Sequence, residues 1–428
     1  MVMVMNFIER TTNFLKLPLG TPKLGIKFTG NDTIAEKMWY IALEDIEKNY
    51  CIDTEYGVVF AAGGYNEHKN WDGLTFNRDT SYSGLLALNS IYPNEMLTSI
   101  KAIRKYREKL KFTCTPDTKL EGIDGVDVLD VDSLEFRKIF HKGTAINKTD
   151  DVVWIWCAYD LIKKNQFDEW EWFYETACDN FKNFYFPFFD KKDGLFFGQP
   201  TFIDVGLYGY PEHFGYNTKE ARNNGVWVKA TSTNALYYKA LSIMSEVAEM
   251  LGLNDEAKEW ELRAKNLKGA ILKHLRFEDG TFAYFKHKDG SLEDRHEALG
   301  TAFAVLLDIV EGEDAKHALS GCGFTQYGVP LIYPFYENGN SLHNNATWPF
   351  VDTFYLLALE KAYGDSFVAH NLMVMLNASI DGHIYEYRDT NLNHIRGAKA
   401  QLWSIAGFIN TCIRGGLTEL PTDFVKIK

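Results

Sequence analysis

Apolar residues recur at three- and four-residue spacing along most of this chain, and that period leaves few folds open. The pattern covers residues 33–50 and then recurs near 80–91, 94–110, 151–165, 168–184, 231–252, 254–276, 296–311, 314–320, 348–363, 366–379 and 400–414. These are about twelve helices, most in consecutive pairs, with little alternation of period two between them. Paired helices build either a solenoid or a double ring of six inner and six outer helices. A solenoid carries a fixed sequence period, and none is present. The expected fold is therefore all-α, an (α/α)6 toroid with long loops and small β-hairpins gathered at one face. Hairpins are signalled at Val58–Phe60, Leu195–Phe197 and Thr281–Tyr284, near Asp-Gly turns such as Asp193-Gly194, Asp279-Gly280 and Asp289-Gly290. No Pro- or Ser-rich linker divides the chain, so residues 31–428 are expected to form a single domain. Residues 1–30, with Pro18, Pro22 and three glycines, read as an arm packed on its outside.

With 46% hydrophobic residues in 428, a large core is within reach. The net charge of −13 and a pI near 5.4 argue against a nucleic-acid or anionic-membrane partner. No apolar run reaches the ~18 residues of a membrane span. The first residues, Met-Val-Met-Val-Met-Asn-Phe-Ile-Glu-Arg, lack a basic region and a cleavage site, so a cytoplasmic location is expected. Six cysteines without metal or pairing spacing read as small buried residues in a reducing compartment. Eleven histidines show no ligand spacing, and nucleophile-elbow, Walker and zincin motifs are missing. The acid-rich stretch 117–132 lacks the calcium-loop register and reads as a solvated loop.

Aromatic residues make up 15% of the chain, and many lie in glycine-rich loops, among them Trp71, Phe197, Tyr208 and Tyr336. Rings beside polar groups suit a pyranose, whose C–H face is apolar and whose rim is hydroxyl; plugging a helical core is their other use. Asp204 sits in such a loop, at the end of Gly198-Gln-Pro-Thr-Phe-Ile-Asp204. Apolar surroundings of this kind keep a carboxylic acid protonated near neutral pH. Glu386, in Ile384-Tyr-Glu386-Tyr, has a similar setting. Two such carboxylates suit glycoside hydrolysis, where an acid and a base flank the scissile bond; each would also serve as an ordinary helix cap.

Further groups gather around these two. Arg78 and Asp79 precede an apolar helix, where they cap it or meet adjacent sugar hydroxyls, with Trp71 as a stacking wall. Asp150 and Asp151, followed by Trp154 and Trp156, exceed what capping needs, and Asp151 is kept as a sugar contact. Asn234 lies one turn into a helix, where Asn is a mediocre helix former, and is expected to point to the pocket beside Asp204. Glu337, His343, Asn345 and Trp348 lead into a helix whose first turn takes Pro349, and Trp403 follows Glu386 into the last helix.

In this order, Trp71…Asn77-Arg78-Asp79, Asp150-Asp151…Trp154, Phe202-Ile-Asp204, Thr233-Asn234-Ala-Leu-Tyr-Tyr, His343-Asn-Asn-Ala-Thr-Trp348-Pro349, Tyr385-Glu386-Tyr and Leu402-Trp403-Ser404 resemble the motifs of the six-hairpin glycosidases. The set spans roughly residues 55–410 and is most similar to the mannosylglycerate-hydrolase-like catalytic domain of glycoside hydrolase family 63, with trehalases and glucoamylases more distant. The resemblance implies an inverting reaction with Asp204 as general acid and Glu386 as general base, the two carboxyls about 6.5–9.5 Å apart. It implies that Arg78, Asp79, Asn345 and Trp348 shape the glycone site and that no cofactor takes part. Glu386 is followed by Tyr387-Arg-Asp-Thr-Asn instead of the family's Asn-Pro-x-Thr-Gly, which keeps Glu337 as an alternative base. The expected activity is exo-acting hydrolysis of a small α-linked oligosaccharide or glycoside, an α-glucoside or α-mannoside. Its competitors are an inverting disaccharide phosphorylase, a sugar epimerase or isomerase using His213, His296 and His343, and a non-catalytic sugar-binding protein.

Overall fold

The computed structural model describes residues 14, 16–17, 19–53, 57–63, 74–109, 126–130, 135–139, 150–182, 186–197, 201, 203, 228–337 and 342–427. The stretches of helical period become α1 Thr33–Lys48, α2 Asn77–Ser83, α3 Pro93–Lys109, α4 Asp150–Asn165, α5 Trp170–Asn180, α6 Thr231–Met250, α7 Asn254–His274, α8 Ala298–Leu306, α9 Gly312–Ser320, α10 Pro349–Tyr363, α11 Val368–Asn377 and α12 Leu402–Arg414. A π-turn, Gly84–Leu88, and a short turn, Asn89–Ile91, continue α2. Local chemistry sets several ends. Asp32 caps α1, its Oδ1 accepting from the Ile34 and Ala35 N–H groups at 2.9 Å. Pro349 opens α10, where its missing N–H loses no bond, and Gly364 ends it in the left-handed region at φ +76°.

Even- and odd-numbered helices differ in burial. Helices α2, α8 and α12 are buried almost throughout, and α4, α6 and α10 along most of their length, whereas the odd-numbered set buries one face. The even helices pack in chain order, α2 on α4, α4 on α6, α6 on α8, α8 on α10 and α10 on α12, and α12 returns to pack on α2. The odd helices lie outside these contacts: α3 against α2 and α4, α5 against α4 and α6, α7 along α6, α9 against α8 and α10, α11 against α10 and α12, and α1 against α12. Four of the even helices share one aromatic cluster. Tyr82, Trp156, Phe303, Phe350 and Phe354 meet with ring centroids 5.4–6.3 Å apart, mostly edge to face or tilted, the arrangements aromatic quadrupoles prefer. Much of the aromatic content thus serves the core.

Short antiparallel sheets precede the even helices. Leu74–Phe76, just before α2, pairs with Val126–Asp130, which pairs with Glu135–Ile139. Lys229–Ala230 before α6 pairs with Phe285–Lys286, and His296–Glu297 before α8 pairs with Ile332–Tyr333. Ala346–Thr347 before α10 pairs with Tyr385–Asp389, itself paired with His394–Lys399 before α12. The last of these sheets ties the N-terminal end of α10 to that of α12. The acid-rich stretch is therefore not simply a solvated loop: part of it is strand, with its partner Leu74–Phe76 some fifty residues earlier in the sequence. At Thr281–Tyr284 only an isolated bridge from Phe282 to Arg276 forms. Before α1, the Thr29 and Gly30 N–H groups donate to the Leu417 carbonyl at 2.8 and 3.2 Å, and Trp39 Nε1 donates to that of Ile26 at 3.0 Å. Among the described residues, no helix is long and apolar enough to cross a membrane.

Candidate active site

Of the residues singled out in the sequence, Arg78, Asp79, Asp151, Asn234, Trp348 and Trp403 lie where even helices begin. Arg78 and Asp79, in the first turn of α2, are both buried. The Arg78 guanidinium donates through Nη1 to the Thr201 carbonyl at 2.9 Å, and Gln401 Nε2 donates to Asp79 Oδ1 at 2.6 Å. Thr201 makes two further bonds: its hydroxyl meets that of Tyr82 at 2.6 Å, and its N–H donates to Ser232 Oγ at 3.1 Å. The residue three positions before Asp204 is therefore held from both α2 and α6. The sequence offered no signal for Thr201, and Gln401 stood out only as part of the string before Trp403, because Arg78 and Tyr82 on one side and Asp79 on the other lie more than a hundred residues from them.

Glu386 lies on the strand Tyr385–Asp389, half-buried, at an irregularity in its pairing with His394–Lys399. Tyr385 faces Lys399 but Tyr387 faces Arg396, so the second strand carries one extra residue there. Gly397, at φ +81°, takes the left-handed conformation such a bulge asks for. The turned chain brings the Ala398 N–H to Glu386 Oε2 at 2.8 Å, and the Ser404 hydroxyl at the start of α12 reaches the Glu386 carbonyl at 3.5 Å. A Cβ at position 397 would stand 2.5 Å from Glu386 Cβ and closer still to Oε2. Gly397→Ala should therefore displace the carboxylate and lower kcat by about 10- to 100-fold, the effect of a misplacement near 1 Å. Circular dichroism and steady-state kinetics check this; an alanine variant with wild-type kcat would sever Gly397 from the placement of Glu386. An isolated glycine in a strand pattern was the available sequence signal for this bulge.

Beside Glu386 stands a block of rings. Trp348 is stacked with Tyr387 at 5.2 Å and with His343 at 5.3 Å, and its Nε1 donates to the Leu342 carbonyl at 2.8 Å. Trp403 stacks on Phe350 at 4.4 Å and meets Trp348 edge-on at 5.9 Å. Trp348 and Trp403 are 2% and 4% exposed, so they back the site more than they offer it a face. Asn345 accepts at its carbonyl from the Thr390 N–H at 3.0 Å and at Oδ1 from the Thr390 hydroxyl at 2.6 Å, joining the approach to α10 to the turn after Glu386.

Two asparagines act as extra strand partners. Asn234 Oδ1 accepts from the Phe196 N–H at 2.8 Å, and its Nδ2 donates to the Phe196 and Ala230 carbonyls at 3.0 and 2.9 Å. Both amide protons are thus committed to the backbone. Asn344 pairs in the same way with Tyr336, at 2.8 Å in each direction, and the neighbouring Glu337 is exposed. Asp151 is the second residue of α4. Trp71, Asp204, Tyr208 and His213 lie outside the described residues.

Two further carboxyls are fully buried at helix starts. Glu297 precedes α8 and its pKa is pushed up to about 8 by burial, which the Ser232 hydroxyl only partly opposes. Asp352, in the first turn of α10, is also raised by burial, although the Val329 N–H donates to its Oδ1 at 2.6 Å. In both, burial favours the neutral acid over the carboxylate. His296 Nδ1 is 2.7 Å from the Phe282 carbonyl. Among the described residues, no group of three or more His, Cys, Asp or Glu is placed to hold a metal ion.

Residues 179–404, more than half of the chain, match the family model of the mannosylglycerate hydrolase MGH1-like glycoside hydrolase domain. No curated protein matches by sequence. Solved structures share the fold. A glycosidase variant in complex with glucose aligns over 92% of this chain and 100% of its own, with a TM-score of 0.62 at 13% identity. The GH78 family rhamnosidase of Bacillus sp. GL1 covers 91% of this chain and 35% of its own, with a TM-score of 0.56 at 15% identity. A bacterial glucoamylase complexed with acarbose covers 92% and 56%, with a TM-score of 0.55 at 11% identity.

Proposed function

Since the chain belongs to the mannosylglycerate hydrolase MGH1-like glycoside hydrolases, we propose that it cleaves a small α-linked oligosaccharide or glycoside from its end, with inversion. The observation that carries this reading is the setting of Glu386, held by the Ala398 N–H on a bulge and backed by Tyr387, Trp348 and Trp403. Glu386 is the general base. It takes a proton from a water molecule as that water attacks the anomeric carbon. Asp204 is the general acid and gives its proton to the departing glycosidic oxygen on the opposite ring face. One C–O bond breaks as the other forms, and the configuration inverts.

The glycone site in this reading is shaped by Arg78, Asp79, Asn345 and Trp348, with Trp71, Asp151, Tyr208, Asn234, Glu337, His343 and Trp403 around it. Residues 31–428 form a single (α/α)6 catalytic domain, and residues 1–30 an arm upon it. The Arg78–Thr201 bond supports this arrangement, because it brings the start of the segment leading to Asp204 to the same end of the helices as Gln401 and Glu386.

Real-time NMR of the sugar released from a panel of α-glucosides and α-mannosides tests the proposal. The β-anomer should accumulate first and then mutarotate. First release of the α-anomer would remove the inverting mechanism. Turnover that depends on added phosphate would assign the phosphorylase instead, and epimerised free monosaccharide the epimerase.

A further inference from the structure

Ile41 and Asp45 on α1 and Asn49 at its C-terminal cap stand four residues apart, so they form one stripe down the helix. All three are buried. The stripe meets the base of the hairpin formed by Tyr385–Asp389 and His394–Lys399. His383, two residues before the first strand, brings Nδ1 to 2.7 Å from Asp45 Oδ2. Asn49 Nδ2 donates at 2.9 Å to the carbonyl of Ala400, the residue just after the second strand. One turn earlier on the helix, Ile41 faces Gly382, where at φ +93° a Cβ would stand 2.6 Å from Ile41 Cδ1. The Gln401 N–H donates to the Ile384 carbonyl at 3.2 Å and joins the two stems. An outer helix thus grips both ends of the hairpin that carries Glu386. Packing alone asks for no carboxyl or amide on this stripe, where apolar side chains would be buried without the cost of desolvation. Among the described residues nothing closes a hydrogen bond on Asn49 Oδ1, and Ala400 holds φ +55°, which a residue with a Cβ adopts only under strain.

We propose that Asp45 and Asn49 are positioning residues, setting through His383 and Ala400 the place of the hairpin and so of the Glu386 carboxyl. That Glu386 is the base rests on the function proposed above; the hold on the hairpin does not. Glu386 follows His383 by three residues, and its Oε2 accepts from the N–H of Ala398, two residues before Ala400. One grip therefore acts on the strand that bears the carboxyl, and the other on the strand that bears its donor. Releasing either stem lets the strands shift against each other where the bulge at Gly397 already interrupts their pairing.

Amide hydrogen exchange at single-residue resolution tests this without any substrate. Asp45→Ala and Asn49→Ala are compared with wild type at one pH, with circular dichroism as the folding control. Protection at Ala398 should fall about tenfold in each variant. Phe196, whose N–H is held by Asn234 in a different hairpin, should keep its protection and serves as the reference. Asn49→Ala leaves no charged group unpaired, so it carries the test if Asp45→Ala does not fold. Kinetics then separates positioning from a general loosening. Each substitution should lower kcat about tenfold in the wild-type background, the cost of a displacement somewhat under 1 Å. In the Glu386→Gln background, where no base remains to be displaced, the loss should be less than about twofold. Unchanged protection at Ala398 in the folded variants would overturn the proposal, as would an equal loss of kcat in both backgrounds. A silent sugar panel with the expected exchange result would instead count against the glycosidase mechanism alone.

Discussion

Glu386→Gln should lower kcat by about a hundred- to ten-thousand-fold, the range that a positioned general base contributes, while leaving the fold intact. Glutamine keeps the shape and can still accept from the Ala398 N–H through its carbonyl oxygen, so the bulge at Gly397 has no reason to reorganise. What disappears is the capacity to take a proton from water. The loss should fall on kcat and kcat/KM together, as for a group that acts in the transition state. Steady-state kinetics on the best substrate of the sugar panel, with circular dichroism as the folding control, decides the matter. Wild-type turnover in Glu386→Gln, with the loss appearing in Glu337→Gln, would move the base to Glu337. Exposure of Glu337 at the surface favours the first outcome.

Glu297 gives the other large effect, this time on stability. Its carboxyl holds its proton to about pH 8 in the folded protein, against an ordinary value of 4.5. Between those limits the folded state binds more protons than the unfolded chain, so raising the pH favours unfolding. The contribution is intact below pH 4.5 and is lost by the time the pH passes 8, at about 1.4 kcal/mol per unit and about 5 kcal/mol in all. Glu297→Gln cannot titrate. The stability difference between variant and wild type should therefore shift in favour of the variant by a few kcal/mol from pH 5 to pH 8. Asp352 is raised in the same direction and gives both proteins a slope of their own, so the difference between them is the diagnostic quantity. Denaturant unfolding at pH 5, 6.5 and 8 measures it, and a constant difference would show that Glu297 is ionised in the folded state.

The helices were legible because each is long enough for its apolar stripe to repeat, and the family match agrees with the motif order read from the loops. The strands were harder to see. Val126–Asp130 reads Val-Asp-Val-Leu-Asp, too short and too charged to signal a strand, and its partner Leu74–Phe76 is far away in sequence. Glu386 was singled out by its neighbours, but the bulge beside it depends on one glycine in the opposite strand. Asn234 was expected to point to the pocket beside Asp204; its amide protons are committed to the Phe196 and Ala230 carbonyls. The partner that uses its amide, the Phe196 peptide, belongs to a hairpin 38 residues earlier. Thr201 and Ser232 carry no sequence mark at all, since a hydroxyl becomes informative only when its neighbours are known. Burial likewise separates Trp348 from the exposed Glu337 a short distance before it, although both stood in one aromatic, polar string.

The bond between Asp79 and Gln401 spans 322 residues of chain, and the Asn410 amide reaches the Leu86 carbonyl at 2.7 Å across a similar span. A ribosome adds about 5–20 residues per second, so tens of seconds separate the birth of α2 from that of the helix that covers it. Through that interval Leu85, Leu86 and their neighbours, fully buried in the finished protein, lack the apolar partners supplied by α12. Until α12 emerges, this apolar surface lacks its cover and is open to non-native association.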